Sequence, residues 1–205
     1  MSNYEVLIRQ NLSAAFNNGI DTLAARLPAR KEGEALEFSA FGAACRVSPS
    51  AVLLKERPEK GPRGLVVSMY ASSAHPDPVK LEPMVSFRDF QGSMPYQGAF
   101  AANSERPLVP HVPAIHATSQ NILEVLGASH GELPHDTPGD FSLLLFPLPK
   151  IALCYIFYLP DDEFPASVTC LFSNNSRRFM PLDGLADTAE YTTRKLLDLI
   201  SEAAT

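Results

Sequence analysis

The chain has 205 residues, 45% of them hydrophobic and 20% charged, and a formal net charge of −6. That length and apolar share suffice for one domain with a proper core and argue against a disordered composition. The acidic balance argues against nucleic-acid binding and against attraction to an anionic membrane, both of which need a basic face.

The longest apolar run, Ile151–Leu159, is of strand length, well short of the ~20 residues that span a bilayer. The opening Met1-Ser-Asn-Tyr-Glu5 has neither the basic nor the apolar region of a secretory leader. Cys45, Cys154 and Cys170 are odd in number, two of them sit inside apolar runs, and there is no Cys-x-x-Cys pair. These features predict reduced core thiols in a cytoplasmic protein and argue against a cysteine-ligated zinc or iron–sulfur site.

Ser2-x-x-Glu5 reads as a capping box, and Tyr4, Ile8, Leu12 and Phe16 follow at helical spacing. Asn18-Gly19 stops this helix, and Asp21 is expected to cap a second one carrying Leu23, Ala24 and Leu27 before Pro28. Arg30–Glu34 reads as a solvated charged turn. Leu36–Phe41, Cys45–Val47 and Ala51–Leu54 read as a β-meander, and Glu56–Gly64 as an exposed loop. Gly64–Tyr70 is expected to be a helix that His75-Pro-Asp-Pro78 ends.

Met84–Phe87 is a short strand, Arg88–Phe100 a long loop pinned by aromatics, and Pro107–Pro113 an extended segment. Ala114–Leu126 reads as one helix and Ser129–Gly139 as a polar loop. Phe141–Phe146 and Ile151–Leu159 form two strands about the Pro147-Leu-Pro149 corner. Both are apolar on each face, so the second should be central and covered on both sides. A final helix is capped by Asp183, with Leu182, Ala186, Ala189, Leu196, Leu197 and Ile200 on its inner stripe. The expected fold is α+β, a single domain over residues 1–205. It has one mixed or antiparallel sheet between N- and C-terminal helices, with residues 1–30 helical and 34–205 forming the body.

The block Asp161-Asp-Glu-Phe-Pro-Ala-Ser-Val-Thr-Cys-Leu-Phe172, followed by Phe179-Met-Pro-Leu-Asp183 and the last helix, resembles an uncharacterised family, domain of unknown function 3786. Its members are bacterial and archaeal, often from anaerobes. Val85-Ser-Phe-Arg-Asp-Phe90, Tyr96, Phe100 and Gly139-Asp140-Phe141 extend the likeness, which runs from Leu36 to Leu197. The resemblance implies little chemistry. Some relatives carry an attached cysteine-rich iron–sulfur module of the kind seen in corrinoid proteins, which implies a setting in anaerobic one-carbon metabolism. This chain has no such module. Where relatives tend to read Phe-Asp after the block, it has Phe172-Ser173-Asn174.

Three places carry potential chemistry. Asp161, Asp162 and Glu163 are adjacent acids whose mutual repulsion a divalent metal would relieve. Against this, aspartates after a proline bond the amides of their own turn, and Phe164 would anchor the loop in the core. The histidines His75, His111, His116, His130 and His135 lack the i, i+4 spacing of a helical metal pair. They would have to meet across loops, with Asp136 or Asp140 beside them. The aromatic loop Phe87, Phe90, Tyr96 and Phe100 either lines a pocket, with Arg88 or Gln91 orienting a flat ligand, or closes the core.

No nucleophile elbow, phosphate loop or dinucleotide fingerprint is present. The sequence therefore predicts a ligand- or partner-binding accessory domain for a small molecule or a protein, with Asp162, Glu163, Phe164, Tyr96, Phe90 and Arg88 as candidate site residues. The alternatives are a metal-dependent enzyme using the acidic turn with loop histidines, and a structural homodimer. No cofactor is evident, and a divalent metal is the one candidate.

Overall fold

The computed structural model describes residues 2–127 and 138–203. Helix α1 (Asn3–Phe16) opens with the capping box: Glu5 N donates to Ser2 Oγ at 3.3 Å and Ser2 N to Glu5 Oε2 at 2.8 Å. Its Ile8, Leu12 and Ala15 are buried. Gly19, at φ +83°, turns the chain into α2 (Ile20–Arg26) and is itself the N-cap. Asp21 lies in the first turn, where it pairs with Lys31 at 2.6 Å.

Lys31 belongs to a strand, and the expected charged turn is an exposed edge. Strand β1 (Arg30–Glu32) pairs antiparallel with β2 (Ala35–Ala40), and β3 (Ala43–Val47), β4 (Val52–Leu54) and β5 (Arg57–Pro58) complete a meander in sequence order. Arg30 bonding Glu37 at 2.5 Å offsets the like charges along that edge. The β2–β3 turn has two residues, Phe41 (φ +52°) and Gly42 (φ +70°). That is the twist-matched geometry of a tight hairpin, with a bulky aromatic where Asn or Gly is usual.

Helix α3 (Pro62–Ser72) bears out the expected helix and starts two residues earlier, because proline fits the first turn of a helix. It lies on α1, and Asn11 Nδ2 donates to Ser68 Oγ at 3.1 Å. Strand β6 (Val85–Ser86) follows. The stretch expected to be loop and extended chain is instead a series of short helical turns. Two 3₁₀ turns (Phe87–Asp89, Met94–Tyr96) lead into α4 (Gln97–Phe100), a π-helical turn (Ala101–Glu105) and a 3₁₀ segment (Arg106–His111). Pro95 and Pro107 fall in the first turns of the second and last of these 3₁₀ segments, where a missing N–H breaks no bond, and Pro110 sits inside the last. The next helix is two, α5 (Val112–Ala117) and α6 (Ser119–Leu126); at the break Thr118 Oγ1 donates back to Ala114 O at 2.8 Å.

Strands β7 (Phe141–Leu148), β8 (Ile151–Tyr158) and β9 (Ser167–Phe172) join β6 in a second antiparallel sheet of order β6-β9-β8-β7. The expectation of one sheet is therefore corrected to two. The chain leaves β5 through helix α3 before β6, and β6 pairs with β9, never with the meander. The α+β class and the antiparallel pairing stand. As expected, β8 is central, and every residue from Ile151 to Phe157 is buried.

One face of β8 (Ile151, Leu153, Tyr155, Phe157) joins the main core, which α7 (Leu182–Ala203) closes with Leu185, Ala189, Leu196 and Leu199. The other face (Ala152, Cys154, Ile156) forms a small cluster with Leu144, covered by Val79, Leu81 and Met84. Asp183 sits inside the first turn of α7 and is not its cap. Among the described residues no helix is long and apolar enough to cross a membrane.

The covering strap, residues 75–84, is held by polar contacts. Lys150, only 7% exposed, donates to His75 O at 2.7 Å and Asp77 O at 2.9 Å and lies 5.3 Å from the Phe179 ring centre. Asn174 and Asn175 bond the backbone of Pro78, Lys80 and Pro83. Asn174 thus works here as a backbone clamp. Replacing Lys150 with Ala leaves two carbonyls without their donor and removes a packed side chain. It should lower unfolding free energy by about 2–3 kcal/mol in urea denaturation.

Candidate functional site

The acidic turn closes on itself. Asp161 accepts from Glu163 N at 2.8 Å and Phe164 N at 2.6 Å, and Asp161 N donates to Phe164 O at 3.0 Å. The two amides hold the Asp161 carboxyl below its usual range. Asp162 and Glu163 are exposed. Phe164 is 67% exposed, so it does not anchor the loop in the core. The turn needs no such anchor, because its own hydrogen bonds satisfy it.

Of the histidines, His75 lies 3.2 Å from Arg178 Nη2 through Nε2, His111 is exposed, and His116 packs on Phe141 with ring centres 4.6 Å apart. Asp140 accepts from Leu159 N at 2.6 Å. His130, His135 and Asp136 lie outside the described residues. Among the described residues no three His, Cys, Asp or Glu side chains converge on a metal position.

The aromatic loop divides. Phe87 stacks on Phe100 at 4.2 Å and 3°, and Phe90 meets Phe172 edge-on at 5.5 Å, so these rings close the core. Tyr96, 44% exposed, lines a cleft of about 130 Å³ with Asn103, Asp183, Asp187 and Glu190. Arg88 lines a different one, of about 140 Å³, with Ser86, Gln97 and Glu105. Gln97, and not Gln91, is the amide there. The exposed acids of the turn line neither.

Glu105 was not singled out by sequence reasoning. Strand β6 pairs with β9 only at Val85–Phe172 and Ser86–Leu171, and the chain then departs. The next β9 amide, Cys170 N, donates to Glu105 Oε1 at 3.0 Å, so a carboxylate continues the ladder where the strand stops. The π-helical turn presents it, and such turns gather at functional sites. Burial raises the Glu105 carboxyl above its ordinary range; the Cys170 amide, Arg88 and Arg106 pull the other way. Behind it, Tyr155 OH donates to Ala189 O at 3.1 Å, and Thr193 Oγ1 donates to Ser104 O at 2.6 Å. Burial and the nearby Glu105 push the Cys170 thiol well up, which makes it inert.

A larger cleft, of about 500 Å³, opens where α3, α7 and the β2–β3 turn meet. Arg63, Arg194 and Lys195 supply three cations, Asp198 one acid, and Phe41, Tyr191 and Leu197 the apolar wall. Phe41 and Tyr191 meet edge-on at 5.9 Å, and the Arg194 guanidinium lies 5.2 Å from the Tyr191 ring centre. Glu59 holds Arg63 at 2.7 Å and Glu190 holds Arg194, both from outside the lining. Lys195 has no ion-pair partner among the described residues. Phe41 keeps its positive φ at this cleft: Phe41 N donates to Pro147 O at 2.7 Å, and a Cβ on Gly42 would meet Val125 Cγ1 at 2.5 Å. Sequence reasoning placed Arg63 in an exposed loop and gave Arg194 and Lys195 no role, since nothing local connects them.

The profile of the family described as Domain of unknown function (DUF3786) matches residues 20–195, and the chain belongs to that family. Comparison with curated proteins and with solved structures returns no match.

Two outcomes follow. Changing Asp162 and Glu163 to Ala together should alter unfolding free energy by no more than about 0.5 kcal/mol, as for ordinary surface positions. Glu105 binds its proton more tightly folded than unfolded, so the native state holds more protons between the ordinary 4.5 and the raised folded value. Its contribution to stability therefore falls as pH rises through that window. Glu105→Gln should flatten that part of a denaturation-versus-pH profile.

Proposed function

We propose that this family member is a binding domain whose main site is the α3–α7 cleft, and that it takes a small organic anion with a flat or apolar body. The observation that carries this is the gathering of three cations and two aromatic rings in one cleft of about 500 Å³, within a chain of net charge −6. The volume falls in the range of ligand pockets, roughly 300–1,000 Å³. An acidic chain has no general reason to collect positive charge in a concavity.

The chemistry divides among the residues. Tyr191, with Arg194 over its ring, offers a face on which a planar group stacks. Lys195 supplies a point charge, and the Arg63 and Arg194 guanidiniums keep donors beyond those their glutamates use. Exposed ion pairs of this kind contribute about 0–1 kcal/mol, so an incoming carboxylate or phosphate readily replaces one partner. Cys45, Cys154 and Cys170 are all buried, so the proposed role rests on ligand binding and not on thiol chemistry.

Thermal-shift titration with phenyl phosphate, benzoate and adenosine monophosphate, and with benzylamine as cationic control, tests the reading. At least one aromatic anion should raise the melting temperature in a saturable way, and benzylamine should not. Lys195→Glu and Arg63→Glu should each weaken that binding by about tenfold or more, near 1.4 kcal/mol. Equal shifts from benzylamine, or full binding by both variants, would overturn it.

A further inference from the structure

The α3–α7 cleft leaves the charged pair beside the β6–β9 edge unused, and that pair is independent of it. We propose that the cleft between Arg88 and Glu105 is a second binding site, built for a small zwitterion that gives its ammonium to Glu105 and its carboxylate to Arg88.

The first ground is Glu105 itself. The Cys170 amide needs one acceptor, and a water or a neutral amide would supply it without taking a carboxylate out of solvent. The bond to Cys170 uses Oε1. Among the described residues Oε2 accepts no hydrogen bond, and Glu105 lines the cleft. Half of a half-buried carboxylate is thus directed to a space and not to the chain.

The second ground is the cation across that space. Arg88 lines the same cleft and forms no ion pair with Glu105 or any other acid among the described residues. Opposite charges sharing a small cleft would ordinarily close on each other. Here the two charged groups stay beyond the 4.0 Å of an ion pair, and Arg88 is exposed to water. Arg88 lies in a 3₁₀ turn pinned by Ser93 Oγ and Gln97 Nε2, which donate to its carbonyl at 3.0 and 3.3 Å, while Glu105 ends the π-helical turn. A ligand with both charges fits that separation; a simple anion or a simple amine satisfies one end and leaves the other unpaired.

Size sets the class further. The cleft holds about 140 Å³, below the roughly 300–1,000 Å³ of drug-sized ligand pockets, which favours a ligand of few heavy atoms. Its apolar floor is the stacked and buried Phe87–Phe100 pair. Glycine and its smallest α-amino acid relatives match both the charges and the space.

Isothermal titration and backbone amide NMR on the full chain decide it, with glycine as the probe and acetate and methylamine as its two halves. Glycine should move the amide signals of Arg88, Gln97, Glu105 and Cys170 in a saturable way, and each half should bind at least about tenfold more weakly. Glu105→Gln retains an acceptor for Cys170, so it should keep the fold and the wild-type amide spectrum away from the cleft. It should nonetheless lose glycine binding by about tenfold or more, as should Arg88→Ala. Lys195→Glu, which damages the α3–α7 cleft, should bind glycine normally, so the two sites fail separately. Absence of saturable shifts with glycine, alanine and serine would overturn the proposal. So would acetate binding as tightly as glycine, or a Lys195→Glu variant that loses glycine.

Discussion

The structure depends on one constraint: β8 is apolar on both faces and must be covered twice. Burying a side chain such as Leu153 or Phe157 is worth about 1.5–3 kcal/mol, and leaving either face wet would forfeit several such terms. The inner face is covered by α7 and the main core, and Tyr155 carries its one polar group to Ala189 O. Among the described residues no helix covers the outer face. A proline-containing strap does; Asp77 N donates to His75 Nδ1 at 3.3 Å within it, and its other holds come from outside. Lys150, Asn174 and Asn175 supply them. The buried lysine and the two asparagines after β9 therefore have a single cause.

The same need for satisfied backbone groups shapes the edge of that sheet. Because β6 ends after two residues, β9 has an amide to pair, and the π-helical turn brings Glu105 to it. That turn is tied to α7 by Thr193, which donates to Ser104 O, and by Asn103, which donates to Glu190 at 3.0 Å. Glu190 also holds Arg194 in the anion cleft. One continuous set of contacts thus joins the two clefts through a single face of α7. The strained Phe41 turn closes the other side of the larger cleft, wedged against Val125 and Pro147.

Much of the fold was legible in the residues. The capping box at Ser2, the meander of residues 36–54, the helix after Gly64 and the central β8 all follow from local periodicity and punctuation. Local signals failed where prolines are dense. Residues 88–113 contain proline at positions compatible with helix starts as well as with loops, and packing against β9 and α7 selected short helical turns. The division into two sheets was also hidden, since strands of either sheet carry the same pattern. Of the candidate site residues, Arg88 and Tyr96 line clefts, Phe90 is core, and Asp162, Glu163 and Phe164 form an exposed turn whose fixed point is Asp161.

The residues alone determined the family, the α+β class and the demand for a doubly covered strand, because apolar pattern and turn chemistry act over a few neighbours. Only the tertiary structure decided which charged groups share a space. Phe41, Arg63 and Lys195 meet across more than 150 residues of chain, as Arg88 meets Glu105 across a break in a β-ladder. Such meetings are set by how sheets and helices stack, and a charged side chain in sequence carries no mark of whether water or another charge will face it.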